Sequence, residues 1–252
     1  MKKIASLYIV MLGLLTAPVA QAQLSPNLVQ AGIDALMSAT ITNAQIAEIS
    51  REAVKEMDAK NPVASANDPY TKRLNRIVGR YSAINGNKLN YKVYKKPDVN
   101  AFATADGSVR VFQGLMDIMN DKEILAIIGH EIGHVVNKDS HDATKSALRR
   151  SALRNAAAAN DGLVGQLSRS ELGGLADYVA GASFSRQQET EADDFSYAFL
   201  KRNRQSVLAL ASSFEKLDKA GSSKVPQFLS THPESKARAA RVRARAKQEG
   251  VR

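Results

Sequence analysis

Apolar residues recur every three to four positions along most of the chain, a pattern that predicts amphipathic helices. Residues 42–60 form one such segment, and a second opens at Asp68-Pro69 and runs to about residue 83. Ser25-Pro26 predicts an earlier helix, because a capping residue followed by proline suits the first turn. We interpret these N-terminal helices as a scaffold.

The pattern changes between residues 85 and 115, where the spacing of apolar side chains becomes two. Asn85-Gly86 and Asp106-Gly107 are turn signals, and the second is typical of a tight hairpin. Residues 89–94 and 108–112 alternate, and residues 99–104 form a short apolar run. The sequence therefore predicts a small antiparallel sheet of about three strands.

The helical pattern resumes at Asn120 and continues to the end of the chain. We expect a predominantly helical α+β fold, with the small sheet packed on a helix bundle that carries the active site. A chain of 252 residues can bury one sizeable core. We therefore expect a single domain over residues 23–252, with helices in 23–84, the sheet in 85–115, and catalytic helices and a basic tail in 116–252.

Glycine and serine are concentrated in residues 160–181. Such a stretch is either a mobile flap or a pair of helices that pack closely through small residues. The sequence leaves both interpretations open.

The first 22 residues have the organisation of an export signal. The basic Lys2-Lys3 precedes twelve mostly apolar residues, 4–15, and Ala20-Gln21-Ala22 has the small-x-small form of a cleavage site. An uncleaved membrane anchor is the alternative, but twelve residues are fewer than the roughly 20 that span a bilayer. We expect cleavage near Ala22, a mature chain that begins at Gln23, and a soluble protein outside the cytoplasm.

The charge is concentrated at the C-terminus. Removing the signal lowers the formal net charge from +10 to +8, and residues 236–252 hold seven basic residues and one acid. The rest of the chain is nearly neutral, which argues against a nucleic-acid-binding domain. The tail is either a solvated helix face or a patch that meets anionic lipid or a partner.

The absence of cysteine limits the available chemistry. It excludes disulfide frameworks, thiol catalysis, cysteine-ligated metal sites and anchoring through a lipidated cysteine. Any metal ion must be held by His, Asp or Glu.

The helix after Asn120 is apolar around nearly its whole circumference, which predicts a buried helix. It contains His130, Glu131 and His134. Residues i and i+4 share a helix face, so both imidazoles can bind one metal ion, with Glu131 beside it as a base. Two core histidines are the alternative, but burying two imidazoles and a carboxylate without compensation is costly. The sequence predicts a zinc site.

A catalytic zinc site needs a third protein ligand and one open position. Glu189 and Asp193 lie four residues apart on another helical stretch, so they share a face, whereas Glu191 points away. We take Glu189 as the third ligand and Asp193 as a partner for a ligating histidine. Glu191 and His141 are the alternatives, and we interpret His141 as a surface residue.

These motifs resemble those of the zinc metallopeptidase family that includes HtpX and the prenyl-protein CAAX protease, the gluzincin type. The motifs that carry this resemblance are His130-Glu-Ile-Gly-His134 and Glu189-x-x-Ala-Asp193, and the residue order across residues 90–252 most resembles that of the soluble periplasmic LoiP-like branch. Further matching segments are Asn90-Tyr-Lys-Val-Tyr94, Asp98-Val-Asn-Ala-Phe102, Phe184-Ser-Arg-Gln-Gln-Glu189 and His232-Pro233. Members of that branch carry a lipoprotein cysteine after the signal; because this chain has none, we do not expect a lipid anchor.

The resemblance implies a role for each matching residue. His130, His134 and Glu189 bind one Zn²⁺ per chain, Glu131 is the general base and Asp193 supports a ligand. The substrate backbone pairs with the edge strand formed by Asn100, Ala101 and Phe102. His232 stabilises the transition state, and Arg238 contributes to substrate binding nearby.

The sequence therefore predicts a zinc metalloendopeptidase that cleaves unfolded or extended polypeptides in the bacterial periplasm, in protein quality control. One alternative is a zinc-containing, chaperone-like peptide-binding protein with little turnover. A second is an envelope-binding module that acts through the basic tail.

Overall fold

The computed structural model describes residues 41–150, 169–221 and 226–251. The predicted export signal, the helix predicted at Ser25-Pro26 and much of the glycine-rich stretch lie outside the described residues. The part of that stretch that is described, Arg169–Ala180, is a helix.

Helices predominate in the described ranges, as predicted. They are α1 (Asn43–Lys60), α2 (Pro69–Val78), α3 (Gln113–Ile118), α4 (Asp121–Val136), α5 (Asp139–Arg150), α6 (Arg169–Ala180), α7 (Arg186–Arg202), α8 (Leu208–Ala220), α9 (Gln227–Thr231) and α10 (Ser235–Gln248). The strands are β1 (Ala83–Ile84), β2 (Asn87–Lys88), β3 (Asn90–Tyr94), β4 (Ala101–Ala103) and β5 (Ser108–Phe112). Among the described residues, no helix is both long and apolar enough to cross a membrane.

The first two helices begin where the sequence predicts. Thr42 and Gln45 form a capping box at α1, and the Asp68 side chain accepts a hydrogen bond from the backbone of Tyr70 at α2. Helix α2 ends at Val78 instead of near residue 83. Ala83 and Ile84, which follow it, form strand β1 of the β1–β2 hairpin.

The three-stranded sheet is confirmed, but the prediction that it is wholly antiparallel is wrong. Strands β4 and β5 form the predicted antiparallel hairpin, whereas β3 pairs with β5 in parallel. The strand order is β3-β5-β4, so β5 lies between the two strands that precede it in the chain. Alternation of apolar residues has the same period in either direction, and therefore could not reveal this arrangement.

Both faces of the sheet are buried. Ala101, Ala103 and Val111 belong to the core that includes α4, and the aromatic side chains of Phe102 and Phe112 belong to a second core with α1 and α6. Strand β4 is one edge of the sheet and contacts α4. This packing places an edge strand beside the helix that carries the His-Glu-x-x-His motif.

Two glycines allow α4 and α7 to pack closely. A Cβ atom at Gly133 would lie 2.9 Å from Cα of Ala192, and one at Gly129 would lie 2.9 Å from Oγ of Ser196. A larger residue at either position would push the helices apart. This contact brings the His-Glu-x-x-His motif of α4 against the acidic residues of α7.

The basic tail forms α10, which packs on α8. Its arginines pair with acids of the preceding helices: Arg241 with Asp193, Arg243 with Glu215, and Arg245 with Asp194. Arg245 also pairs with Glu249, which follows α10. Acidic neighbours thus match much of the positive charge of the tail. Association of the tail with an envelope surface stays a prediction.

Candidate metal centre and active site

Two capped helices carry the acidic and imidazole side chains of the site. Helix α4 starts at a capping box of Asn120 with Glu123, and α7 at one of Ser185 with Gln188. The motif residues of α4 and Glu189 and Asp193 of α7 are all buried; the most exposed of them retains 3% of its accessible surface. The sequence predicted both helices and the shared face of Glu189 and Asp193.

The predicted ligand atoms converge. Nε2 of His130 lies 3.1 Å from Nε2 of His134, and each of these atoms is 3.6 Å from one oxygen of Glu189. Together with His232, these side chains offer ligand atoms that all lie within 4.8 Å of one another. A single ion can therefore contact atoms from α4 and α7 at the same time.

The second nitrogen of each imidazole faces a carboxylate. Nδ1 of His130 lies 2.9 Å from Asp193, and Nδ1 of His134 lies 2.8 Å from Asp139. Because a carboxylate accepts, we assign the proton of His134 to Nδ1, which leaves its Nε2 with a lone pair. At His130, Nη2 of Arg238 also lies 3.1 Å from Nδ1 and 3.3 Å from Nε2. The two Nε2 atoms lie 3.1 Å apart, so one cation can contact both.

Carboxylate oxygens with no hydrogen bond also face this region. Oε1 of Glu131 and Oε2 of Glu189 are buried and lack a hydrogen-bond partner among the described residues. Buried acceptors normally have partners, so these two require an explanation. The residues present fit a divalent cation in their donor atoms and spacing.

Burial controls the protonation of the site. It lowers the pKa values of His130 and His134, so both rings are neutral and able to bind a metal. It raises the pKa of Glu189 to about 7, against the opposing effect of Arg238. Burial and the nearby Glu189 raise the pKa of Glu131, while Arg238 and a hydrogen bond from the Ala103 backbone act in the opposite direction. A bound cation would act against burial and favour the ionised form of both carboxylates.

His232 reaches the same cluster from the end of α9. Its Nδ1 lies 2.8 Å from Glu189 and 3.3 Å from Nε2 of His130, and its Nε2 lies 3.5 Å from Glu131. Burial lowers the pKa of His232 to about 3, so the ring is neutral. The position allows hydrogen-bond donation to a substrate and also allows metal ligation.

Arg238 lies behind the cluster. Its guanidinium donates to both oxygens of Asp193 at 3.0 and 2.6 Å, and Nη1 lies 2.5 Å from Glu189 without hydrogen-bond geometry. The ring of Phe214 covers it at 4.1 Å. These contacts hold carboxylates in place; the predicted contact of Arg238 with substrate stays a prediction.

The structure separates the two alternative third ligands from the cluster. Glu191 is exposed and accepts a hydrogen bond from Gln187. His141 lies on α5, outside the group of converging ligand atoms. The interpretation of His141 as a surface residue is wrong, because only 8% of it is exposed. Its helix packs against α4 and α6, and no local pattern showed which face would be covered.

The predicted substrate strand lies at the sheet edge next to α4. Asn100 precedes β4, while Ala101 and Phe102 lie within it. The backbone of Ala103 contacts Glu131 through its N–H and accepts a hydrogen bond from Ser140 through its carbonyl. The strand is buried, with Ala101 only 1% exposed.

Sequence reasoning missed two side chains at the site. Asp139 holds His134, and the ring of Phe184 stacks on His134 with centroids 4.0 Å apart. Asp139 lies five residues after His134, and the chain turns between α4 and α5. Helical spacing therefore could not predict that the two side chains meet. Phe184 was noted in the sequence only as part of a matching segment.

Comparison with known proteins agrees with this geometry. The profile of peptidase family M48 matches residues 65–246. The chain belongs to this family. The metalloproteases LoiP and YcaL of Escherichia coli (strain K12) are each 42% identical to it, over 90% and 86% of both chains respectively. The beta-barrel assembly-enhancing protease of the same organism is 27% identical over 83% of this chain and 45% of its own length.

Membership of family M48 establishes the class of reaction. The protein is a metalloendopeptidase, it depends on a metal ion, and its substrates are polypeptides. The predicted resemblance to the HtpX type and to its LoiP-like branch is confirmed. The family does not by itself assign the individual residues, the identity of the metal or the cellular compartment.

Proposed function

We propose that this M48 peptidase uses one zinc ion to cleave unfolded or extended polypeptides in the bacterial periplasm, as part of protein quality control. The observation that carries the proposal is the pair of Nε2 atoms of His130 and His134. They face each other at 3.1 Å, and a different oxygen of Glu189 lies 3.6 Å from each of them: Oε2 from His130 and Oε1 from His134. Glu131, the proposed base, follows His130 in the chain.

The donor set favours zinc as the metal. Two neutral imidazoles and one carboxylate are a common ligand set for catalytic Zn²⁺, and all three are present here. When bound, zinc polarises the substrate carbonyl and makes water more acidic. Asp193 and Asp139 keep the lone pairs of the two imidazoles directed at the site.

The remaining roles belong to side chains around the ligands. Glu131 accepts a proton from the attacking water and passes it to the leaving amine. His232 is neutral and carries one ring proton; with that proton on Nε2, it donates a hydrogen bond to the carbonyl oxygen as negative charge develops there. The backbone of Ala103 fixes one end of the Glu131 carboxylate.

Substrate selection rests on strand β4. A strand that pairs with the substrate through backbone groups reads little side-chain sequence, which favours broad selectivity for extended segments. Selectivity for unfolded chains and export to the periplasm together support a role in quality control.

Removing and restoring the metal tests this proposal. Purified mature protein is expected to contain about one zinc per chain, since three predicted protein ligands converge at a single cluster. A chelator should abolish hydrolysis of unfolded casein, and one equivalent of Zn²⁺ should restore it. Metal analysis and casein cleavage on the same samples provide the measurement.

Variants of the third ligand supply the control. Glu189→Ala is expected to lose most of the zinc, whereas the matched variant Glu191→Ala on the exposed face should retain it. Full zinc retention in Glu189→Ala would contradict the ligand assignment. Stoichiometric zinc without casein cleavage would instead favour the chaperone-like alternative.

The N-terminus of protein recovered from the cell tests the proposed compartment. Intact-mass measurement on periplasmic extract should find a chain that starts at Gln23 and carries no lipid, because the apolar run is short and no cysteine is present. An intact Met1 in the membrane fraction would mean that residues 4–15 act as an anchor.

A further inference from the structure

Asp139 contacts side chains of both helices that carry proposed metal ligands, α4 and α7. One of its oxygens lies 2.8 Å from Nδ1 of His134 on α4, and the other accepts a hydrogen bond from Nε2 of Gln188 on α7 at 3.0 Å. Gln188 immediately precedes Glu189 in the chain. Hydrogen bonds therefore connect His134, a proposed metal ligand, through Asp139 to Gln188, the residue before the proposed ligand Glu189.

Gln188 is itself fixed at both ends of its amide. Its Oε1 accepts hydrogen bonds from the backbone and the hydroxyl of Ser185, both at 2.9 Å, as half of the capping box of α7. Nε2 then points at Asp139. The first turn of α7 thus sets the position of the carboxylate that holds His134.

The turn that delivers Asp139 is a strained one. Lys138, between α4 and α5, has a φ of 68°, in the left-handed region that non-glycine residues rarely adopt. Asp139 is nevertheless buried, with 5% of its surface exposed. A buried carboxylate after a strained residue is consistent with a placement that the site requires.

We propose that Asp139 and Gln188 are positioning residues that couple the two metal-binding helices. Asp139 orients the His134 imidazole. Gln188 holds Asp139 by a hydrogen bond, so the position of the His134 ring depends on the position of α7, which also carries Glu189. His130 has a parallel link to α7 through Asp193. This inference rests on the proposed metal centre, because it assumes that His134 and Glu189 bind the same ion.

Two substitutions of Gln188 separate its two bonds. Gln188→Glu keeps the oxygen that caps α7 but replaces the donor with a carboxylate that repels Asp139. Gln188→Lys keeps a donor to Asp139 but loses the capping oxygen. We expect Gln188→Glu to raise the zinc dissociation constant about 10- to 100-fold, the usual effect of losing such an outer partner. Gln188→Lys should stay closer to wild type in affinity while its metal-free form melts at a lower temperature.

The measurement is competition of the mature chain with a chromogenic zinc chelator, paired with thermal melting in EDTA. Gln187→Glu, the same change at the exposed neighbouring residue, is the matched control, and we expect its zinc affinity within about twofold of wild type. In an Asp139→Ala background, Gln188→Glu should cause no further loss beyond about twofold, because the two residues act through one path.

The outcomes distinguish the coupling from the metal centre itself. Wild-type affinity in Gln188→Glu, or a greater loss in Gln188→Lys than in Gln188→Glu, overturns the coupling and leaves the proposed function intact. An undiminished effect of Gln188→Glu in the Asp139→Ala background also overturns it. A wild-type chain that binds no zinc, or a His134→Ala variant with unchanged affinity, contradicts the metal centre and the coupling together.

Discussion

Glu131→Gln is expected to lower the rate of casein hydrolysis by about 10²- to 10⁴-fold, the contribution of a general base. The amide has nearly the size and polarity of the carboxylate but cannot accept the proton of water. Zinc content and melting temperature should remain near wild type, because Glu131 lies beside the converging ligand atoms and is not one of them. Single-turnover rates on zinc-saturated protein give the comparison.

Glu191→Gln is the matched control for this loss. It makes the same chemical change on an exposed face of α7, where the carboxylate accepts one hydrogen bond from Gln187. Its activity should equal that of the wild type. If Glu131→Gln kept more than about a tenth of the wild-type rate, the loss would be smaller than a general base requires.

The sequence was sufficient for features that local chemistry determines. Asn120 caps α4 and Ser185 caps α7, and each is followed three positions later by Glu or Gln. The helical period then places His130 with His134 and Glu189 with Asp193. These pairs depend only on spacing within one helix, so the backbone had little freedom to separate them.

Features that depend on how distant segments pack were not available from the pattern. The parallel pairing of β3 with β5 follows from the path of the chain across the sheet, and alternation carries no direction. The burial of His141 depends on which elements cover α5. Asp139 reaches His134 only because Lys138 adopts a left-handed conformation, for which the sequence contains no glycine as a signal.

The basic tail shows a different limit of sequence reasoning. Counting charges along the chain isolates the positive charge of residues 236–252, but folding brings the tail against acids far away in sequence. Arg241 meets Asp193 and Arg243 meets Glu215. The charge of a segment therefore predicts its surroundings poorly when the segment packs against the rest of the fold.

The geometry allows two roles for His232: binding the metal or donating a hydrogen bond to the substrate. Its side chain was predicted to act on the transition state, and the structure places Nδ1 among the ligand atoms and Nε2 near Glu131. The ring is flanked by Phe228, at a centroid distance of 4.4 Å, and by Phe184, at 5.6 Å. A phenylalanine at position 232 can keep these ring contacts while it removes both nitrogens.

His232→Phe is therefore expected to fold and to lower kcat by about 10²-fold or more, the cost of losing one donor to the developing oxyanion. KM should change less, because the donated hydrogen bond strengthens only as charge forms on the carbonyl oxygen. Zinc content should stay at about one per chain, since the three proposed ligands, His130, His134 and Glu189, all remain. Steady-state kinetics and metal analysis of the same preparation give both readouts.

The two readouts separate the roles that the geometry allows. Loss of zinc together with activity would make His232 a required ligand and would contradict the assignment of Glu189 as the third one. Unchanged kcat would remove His232 from the chemistry and leave it as a packing residue between two aromatic rings. A fall in kcat with zinc retained would support the proposed role of His232 as a donor to the developing oxyanion, from Nε2, which lies 3.5 Å from the proposed base Glu131.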